Sequence, residues 1–117
     1  MSLPNAAEAL VPPEKLTGYL LALGHPVGGP KARFFRAHGF DDTNTGLLTA
    51  GLRTIAAQGV ALPRPGLFGT KYTVVGDLPT PRGTTVRVET VWIVERSDRR
   101  PRLVTAYPAR TANRATV

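Results

Sequence analysis

The stretch GTKYTVVGDLPTPRGTTVRVETVWIVERSDRRPRLVTAYP, Gly69 to Pro108, decides the fold. It contains three alternating runs rich in β-branched residues: Thr70–Gly76, Thr84–Glu95 and Arg102–Tyr107. Val, Thr, Ile, Trp and Tyr suit a pleated, half-buried surface. The breaks between the runs carry Pro79, Pro81 and Gly83, then Ser97 to Pro101, all turn-forming chemistry. The stretch therefore predicts a three-strand antiparallel meander that Pro108 ends. It also holds the only Trp and two of the three Tyr of the chain.

Upstream the periodicity changes from two to about 3.6. Pro12 and Pro13 preset a first helical turn. Leu16, Tyr19, Leu20 and Leu23 then fall at i, i+3, i+4 and i+7, which predicts an amphipathic helix over Glu14–Leu23. Gly24 to Gly29 reads as a turn. Pro30–His38 reads as a second helix with Gly39 as its left-handed stop, and Phe34 and Phe35 point inward. A third helix is predicted over Asn44–Gln58, with Leu47, Leu48, Leu52, Ile55 and Ala56 as its apolar stripe. Pro63, Pro65 and Gly66 predict an irregular linker after it. Helices first and strands after define an α+β fold. The expectation is two to three N-terminal helices packed on one face of a C-terminal antiparallel sheet of three or four strands. Residues 13–108 form the domain, residues 1–12 a flexible lead-in, and residues 109–117 a loose tail.

A chain of 117 residues can bury one core unaided, and 42% hydrophobic with 20% charged residues is an ordinary globular composition. Cysteine is absent, which excludes disulfides and thiolate metal sites. The two histidines, His25 and His38, are too few for a zinc site, so neither metal nor cofactor is expected. No basic stretch followed by a long apolar run opens the chain, and Tyr19–Leu23 is far too short to cross a bilayer. The expected location is cytoplasmic, with no membrane partner. Oligomeric state is not legible. The net charge of +7 is concentrated in the second half: residues 59–117 carry ten Lys/Arg against four Asp/Glu, residues 1–58 five against four. A basic half-domain is the footprint of a polyanion binder. It is equally what an Arg-, Ala-, Gly- and Pro-rich composition yields without function.

Alternation separates the faces of the meander. Pairing Lys71 with Thr90 and Val94 with Leu103 places Lys71, Thr73, Thr90, Trp92, Thr105 and Tyr107 on one face. Tyr72, Val74, Arg87, Glu89, Val91, Ile93, Val104 and Ala106 then share the other, which suits helix cover. A row Lys71–Thr90–Tyr107, flanked by Trp92 and Thr105, has the cation, hydroxyls and aromatics that phosphate and base contacts require. The competing account makes Trp92 and Tyr107 core residues with satisfied polar tips. Register decides between them, since a slip of one residue exchanges the faces.

Several separated stretches also carry a resemblance. Lys15-Leu16-Thr17-Gly18-Tyr19-Leu20-Leu21, His25-Pro26-Val27-Gly28-Gly29-Pro30-Lys31-Ala32-Arg33-Phe34-Phe35 and Gly39-Phe40 resemble a bacterial and phage family, the domain of unknown function numbered 6883. Gly69-Thr70-Lys71-Tyr72, Val91-Trp92-Ile93-Val94 and Leu103-Val104-Thr105-Ala106-Tyr107-Pro108 fit the same pattern. The match spans Lys15 to Pro108. Helices followed by a sheet that ends in a Thr-x-Tyr-Pro strand are similar to the barnase/EndoU/colicin/RelE class of small toxin RNases. That likeness implies an endoribonuclease, with RNA and a small cognate antitoxin or immunity protein as partners. The family brings no catalytic residues with it, so the candidates rest on chemistry.

A metal-independent RNase needs a base, an acid and cations for the phosphorane. The catalytic candidates are His25, Lys71, Thr105 and Tyr107; the phosphate- or RNA-binding candidates are Lys31, Thr90, Trp92 and Arg102. An imidazole exchanges its proton near neutrality, although a His in a Gly/Pro turn also caps backbone groups. Lys31 lies in the first turn of the second helix, where an anion is favoured, or is an ordinary solvated lysine. Arg87 and Glu89 read as a surface ion pair or as a charge clamp and base. Asp41 and Asp42 read as the entry to the third helix. His38 reads as a helix C-terminal dipole partner. Two other functions fit the same residues: a non-catalytic nucleic-acid- or protein-binding accessory module, and a structural domain whose sheet face is an oligomer interface.

Overall fold

The computed structural model describes residues 1–109; the tail expected beyond Ala109 lies outside the described residues. Three strands of 11 residues carry the sheet: β2 (Gly69–Pro79), β3 (Thr85–Glu95) and β4 (Asp98–Pro108). A short β1 (Ala61–Pro65) precedes them, and the antiparallel order is β1-β2-β3-β4. β1 occupies the segment expected to be an irregular linker. Its two prolines are tolerated because β1 is an edge strand, where a missing N–H disrupts no second ladder.

Helices come first in the chain. A 3-10 turn (Ala6–Glu8) leads to α1 (Pro13–Lys15), which continues as a π-helical turn over Leu16–Leu20. α2 (Gly29–Ala37) and α3 (Thr45–Gln58) follow. The arrangement is α+β, as the order of periodicities predicts. The first helix differs in detail from its expected amphipathic form. The Leu21 N–H reaches back five residues to the Leu16 carbonyl at 2.7 Å, and this extra residue in the turn shifts the apolar phase. Leu16, Leu20 and Leu21 are buried, whereas Leu23 points to solvent and Tyr19 is half-buried. On α3, Leu48, Leu52, Ile55 and Ala56 are buried, and Leu47 is exposed. Each buried Leu or Ile contributes about 1.5–3 kcal/mol. The close approach of α3 to the sheet requires small residues: a Cβ at Gly51 would overlap the Leu78 side chain.

The segment expected to be a flexible lead-in is packed. Leu3 and Ala9 are core residues, and Met1 accepts the Ala61 N–H at 2.7 Å. Leu10 adds a bridge to the β4 edge: its N–H donates to Pro101 at 2.7 Å and its carbonyl accepts from Leu103 at 2.9 Å. This covers the sheet edge around Arg102.

The register overturns the expected faces. Lys71 pairs with Ile93 and Val74 with Thr90, three residues from the expected alignment. The cause is the hairpin. Pro79 pairs with Thr85, leaving Thr80 to Thr84 as a five-residue loop closed by a Thr80–Thr84 hydroxyl contact at 2.7 Å, with Gly83 at φ 83°. Three is odd, so every β3 side chain changes face relative to β2. β4 carries a second correction. Val91 pairs with Thr105 but Trp92 pairs with Leu103, so Val104 is a bulge. Leu103 and Ala106 therefore share the core face, and Thr105 and Tyr107 face away from it.

Thr90 and Trp92, expected as RNA contacts, are instead sealed in the core at 0% exposure beside Phe35, Phe40 and Val88. The Trp92 indole N–H donates to the Thr90 hydroxyl at 2.8 Å, and that hydroxyl donates to the Val74 carbonyl at 2.7 Å. Arg87 and Glu89, expected on the covered face, lie on the uncovered one. We predict that Thr90→Val, which strands the buried indole N–H, lowers unfolding free energy by about 1–3 kcal/mol in urea denaturation. An unchanged midpoint would show that the pair does not hold the register.

Candidate functional site

The uncovered sheet face runs in rows across three strands. One is Thr73–Val91–Thr105, the next Val75–Glu89–Tyr107. At the β4 side, α2 and the π-turn come against the strand. The Tyr19 phenol oxygen meets the Thr105 hydroxyl at 3.0 Å, a contact between residues 86 apart in sequence. Beside it lies an open cleft of about 470 Å³ lined by Pro30, Lys31, Thr105, Tyr107 and Pro108.

The turn between the π-helix and α2 packs against Tyr19, next to this cleft. The Val27 and Gly28 N–H groups donate to His25 Nδ1 at 3.0 and 2.9 Å. Nδ1 is thereby an acceptor, and the ring proton of the neutral imidazole resides on Nε2. The capping role considered for His25 is real, and it leaves Nε2 as the nitrogen able to donate. The imidazole stands edge-on to the Tyr19 ring, with centroids 5.1 Å apart. Gly28 is required for this approach, because a Cβ there would overlap the Tyr19 carbonyl.

Two lysines complete the cluster. Lys15 Nζ lies 5.2 Å and Lys31 Nζ 5.5 Å from the Tyr19 ring centroid, within cation–π range. Neither makes an ion pair among the described residues. Partial burial pushes the Tyr19 phenol up, but the Thr105 hydrogen bond and the charges of Lys31 and Lys15 outweigh it and hold the phenol below its ordinary value. On the far side of the cleft the Tyr107 hydroxyl donates to Glu89 Oε2 at 2.5 Å, a short charge-assisted bond. Lys31, Thr105 and Tyr107 line the opening, and Tyr19, Lys15 and His25 cluster beside it. Such a set can bind an anionic oxygen and exchange protons with it.

The structure thus brings together four residues singled out in the sequence: His25, Lys31, Thr105 and Tyr107. Lys71 does not join them. It shares the face, but two residues along β2 and two strands across separate it from Thr105, roughly 12 Å. Arg102 pairs with Glu95 at 2.7 Å, also away from the cleft. Arg87 pairs with Asp77 across the strands at 2.9 Å rather than with Glu89. Tyr19 and Lys15 were missed as site residues. Their i, i+4 spacing was visible, but Tyr19 fell in an apolar stripe and was assigned to the core. Among the described residues, no group of three or more His, Asp or Glu is placed to hold a metal, and no helix is long and apolar enough to cross a membrane.

Because the folded-state value of Tyr19 lies below the unfolded one, near 10, its ionised form stabilises the fold. That contribution is fully present above the unfolded value and is lost as pH falls through the folded one. We predict that phenolate absorbance shows one tyrosine titrating early, that Tyr19→Phe removes this transition, and that Lys31→Ala moves it upward. A titration of Tyr19 at its ordinary value would contradict the geometry.

Comparison with known proteins fits this architecture. No curated protein matches the chain. Over 89% of its length the structure superimposes on a chain of the contact-dependent growth inhibition toxin–immunity protein complex from Klebsiella pneumoniae 342, covering 96% of that chain, with a TM-score of 0.69 at 16% identity. At that identity the likeness is one of fold. The family model described as Domain of unknown function (DUF6883) matches residues 2–110, and the chain belongs to that family.

Proposed function

We propose that this domain is a metal-independent, RNase-like toxin that cleaves RNA in the cleft between α2 and β4. The observation that carries the reading is the Tyr19–Thr105 bond, with Lys15, Lys31 and His25 gathered around it. In this reaction a ribose 2′-oxygen attacks phosphorus and the bond to the 5′-oxygen breaks. The 2′-proton passes to a base and a proton passes to the leaving oxygen, giving a 2′,3′-cyclic phosphate and a 5′-hydroxyl. Lys31 and Lys15 offset the charge that develops on the phosphoryl oxygens. The Lys31 ammonium supplies the leaving-group proton, the His25 Nε2–H donates a hydrogen bond to a phosphoryl oxygen, and the Glu89–Tyr107 pair takes the 2′-proton. Thr105 orients the phosphate. The fold shared with a chain of a toxin–immunity complex supports the toxin reading and an immunity protein as its partner. RNA as substrate would place the activity in the cytoplasm.

Induced expression is expected to arrest growth, and purified protein to cleave RNA in the presence of EDTA. His25→Ala and Lys31→Ala should each reduce cleavage by about 10²-fold or more while retaining the fold by circular dichroism. Lys71→Ala, outside the cleft, should lower RNA affinity and its salt dependence without abolishing cleavage. Intact RNA at high protein concentration would sink the proposal. A second reading, a non-catalytic RNA- or protein-binding module, is favoured by Lys15, Lys31, Arg64 and Lys71, which make no ion pair among the described residues. It predicts salt-sensitive binding with no cleavage in any variant.

A further inference from the structure

The β1–β2 hairpin tip breaks two ordinary rules of surface design. First, Leu67 and Phe68 stand side by side at 80% and 77% exposure, where a turn is usually polar. Second, Arg64 and Lys71 are direct cross-strand partners, and like charges opposite one another destabilise a sheet. Neither has an ion-pair partner among the described residues, whereas Arg36, Arg87, Arg100 and Arg102 are each paired with a carboxylate. Arg96, whose N–H donates to the Phe68 carbonyl at 3.3 Å, adds a third cation without an ion-pair partner among the described residues.

The tip is also held in shape. The Gly66 N–H donates to the Gly69 carbonyl at 2.8 Å. Gly69 adopts φ 155°, and a Cβ there would overlap the Val94 carbonyl. Pro63 and Pro65 stiffen β1. A cleft of about 280 Å³ runs between the tip and the sheet, from Arg64 past Phe68 to Lys71 and Ile93. An apolar anchor on a rigid mount, ringed by unneutralised cations, is the complement of an acidic surface with an apolar side chain at its centre.

We propose that this hairpin is a docking site for an acidic protein partner. Carboxylates of the partner pair with Arg64 and Lys71, and an apolar side chain enters the cleft against Leu67 and Phe68. The surface is separate from the α2–β4 cleft: Gly69 lies roughly 16 Å from Thr105, by strand spacing and rise. A partner seated here leaves the cleft chemistry intact and stands beside it. The proposal holds whether or not the cleft is catalytic, because its readout is binding and not cleavage.

The probe is a fluorescently labelled peptide that alternates Glu with Leu and Phe, followed by anisotropy against the full chain. Binding is expected, with affinity reduced about tenfold or more by Phe68→Ser and by Lys71→Glu. A peptide of Glu and Ser alone should bind at least about tenfold more weakly than the apolar version. Both substituted side chains are exposed, so the variants fold; His25→Ala should bind the peptide as the parent does. Absence of binding, or binding indifferent to Phe68→Ser, overturns the proposal. Two further outcomes also overturn it. One is a single-stranded RNA oligonucleotide that loses affinity with Phe68→Ser while the peptide does not bind. The other is self-association by sedimentation that Phe68→Ser abolishes.

Discussion

The Thr90 hydroxyl occupies the position on which the rest of the molecule depends. It gives its proton to the Val74 carbonyl on the neighbouring strand and receives the indole N–H of Trp92 on its own. Both bonds are fully buried, so no water can replace them, and a broken one leaves a polar group stranded in the core. The pair therefore holds β2 and β3 in one alignment and keeps the largest side chain of the chain inward. Since strand side chains alternate, that alignment sorts every β3 residue between the core and the uncovered face. The Val104 bulge then passes the assignment to β4 with a phase change. Without it, Thr105 and Tyr107 would share a face with Leu103.

The cleft follows from those two facts. The Leu10 bridge protects the β4 edge around Arg102, and α2 takes over beyond it. The π-turn rotates Tyr19 out of the apolar stripe toward Thr105, and Gly28 lets the His25 turn close upon it. Charge is partitioned in the same economical way. The cations at Asp42, Asp77, Asp98 and Glu95 are spent on structure; the Arg100 side chain and backbone hold the Asp98 carboxyl down to about 2. Lys15 and Lys31 at the cleft, and Arg64 and Lys71 at the hairpin, are left without carboxylates among the described residues. Uncompensated positive charge in two places is what gives each a partner chemistry.

Much of this was legible in the chain. The change from a 3.6-residue to a two-residue period at about Gly69 marks the α+β division, and Gly39 stops α2 as its left-handed φ of 99° requires. His25, Lys31, Thr105 and Tyr107 were identifiable because their side chains carry the chemistry and their local settings are turns and strand ends. Tyr19 was not, because an aromatic in an apolar stripe looks the same whether it fills a core or walls a cleft. Trp92 failed in the opposite direction: a polar handle suggested a surface, and a neighbouring hydroxyl satisfied it inside.

Local sequence determined which segments become helices or strands and which residues could do proton and phosphate chemistry, because these depend on periodicity, turn residues and functional groups that neighbours in the chain carry. Tertiary structure alone decided which of those residues meet. Whether Lys71 or Lys31 stands beside Thr105 turns on a five-residue hairpin loop, one bulge and one π-turn, each an odd shift in phase. Such shifts cost little locally and are selected by the packing of Trp92, Thr90 and Tyr19 against partners far away in sequence.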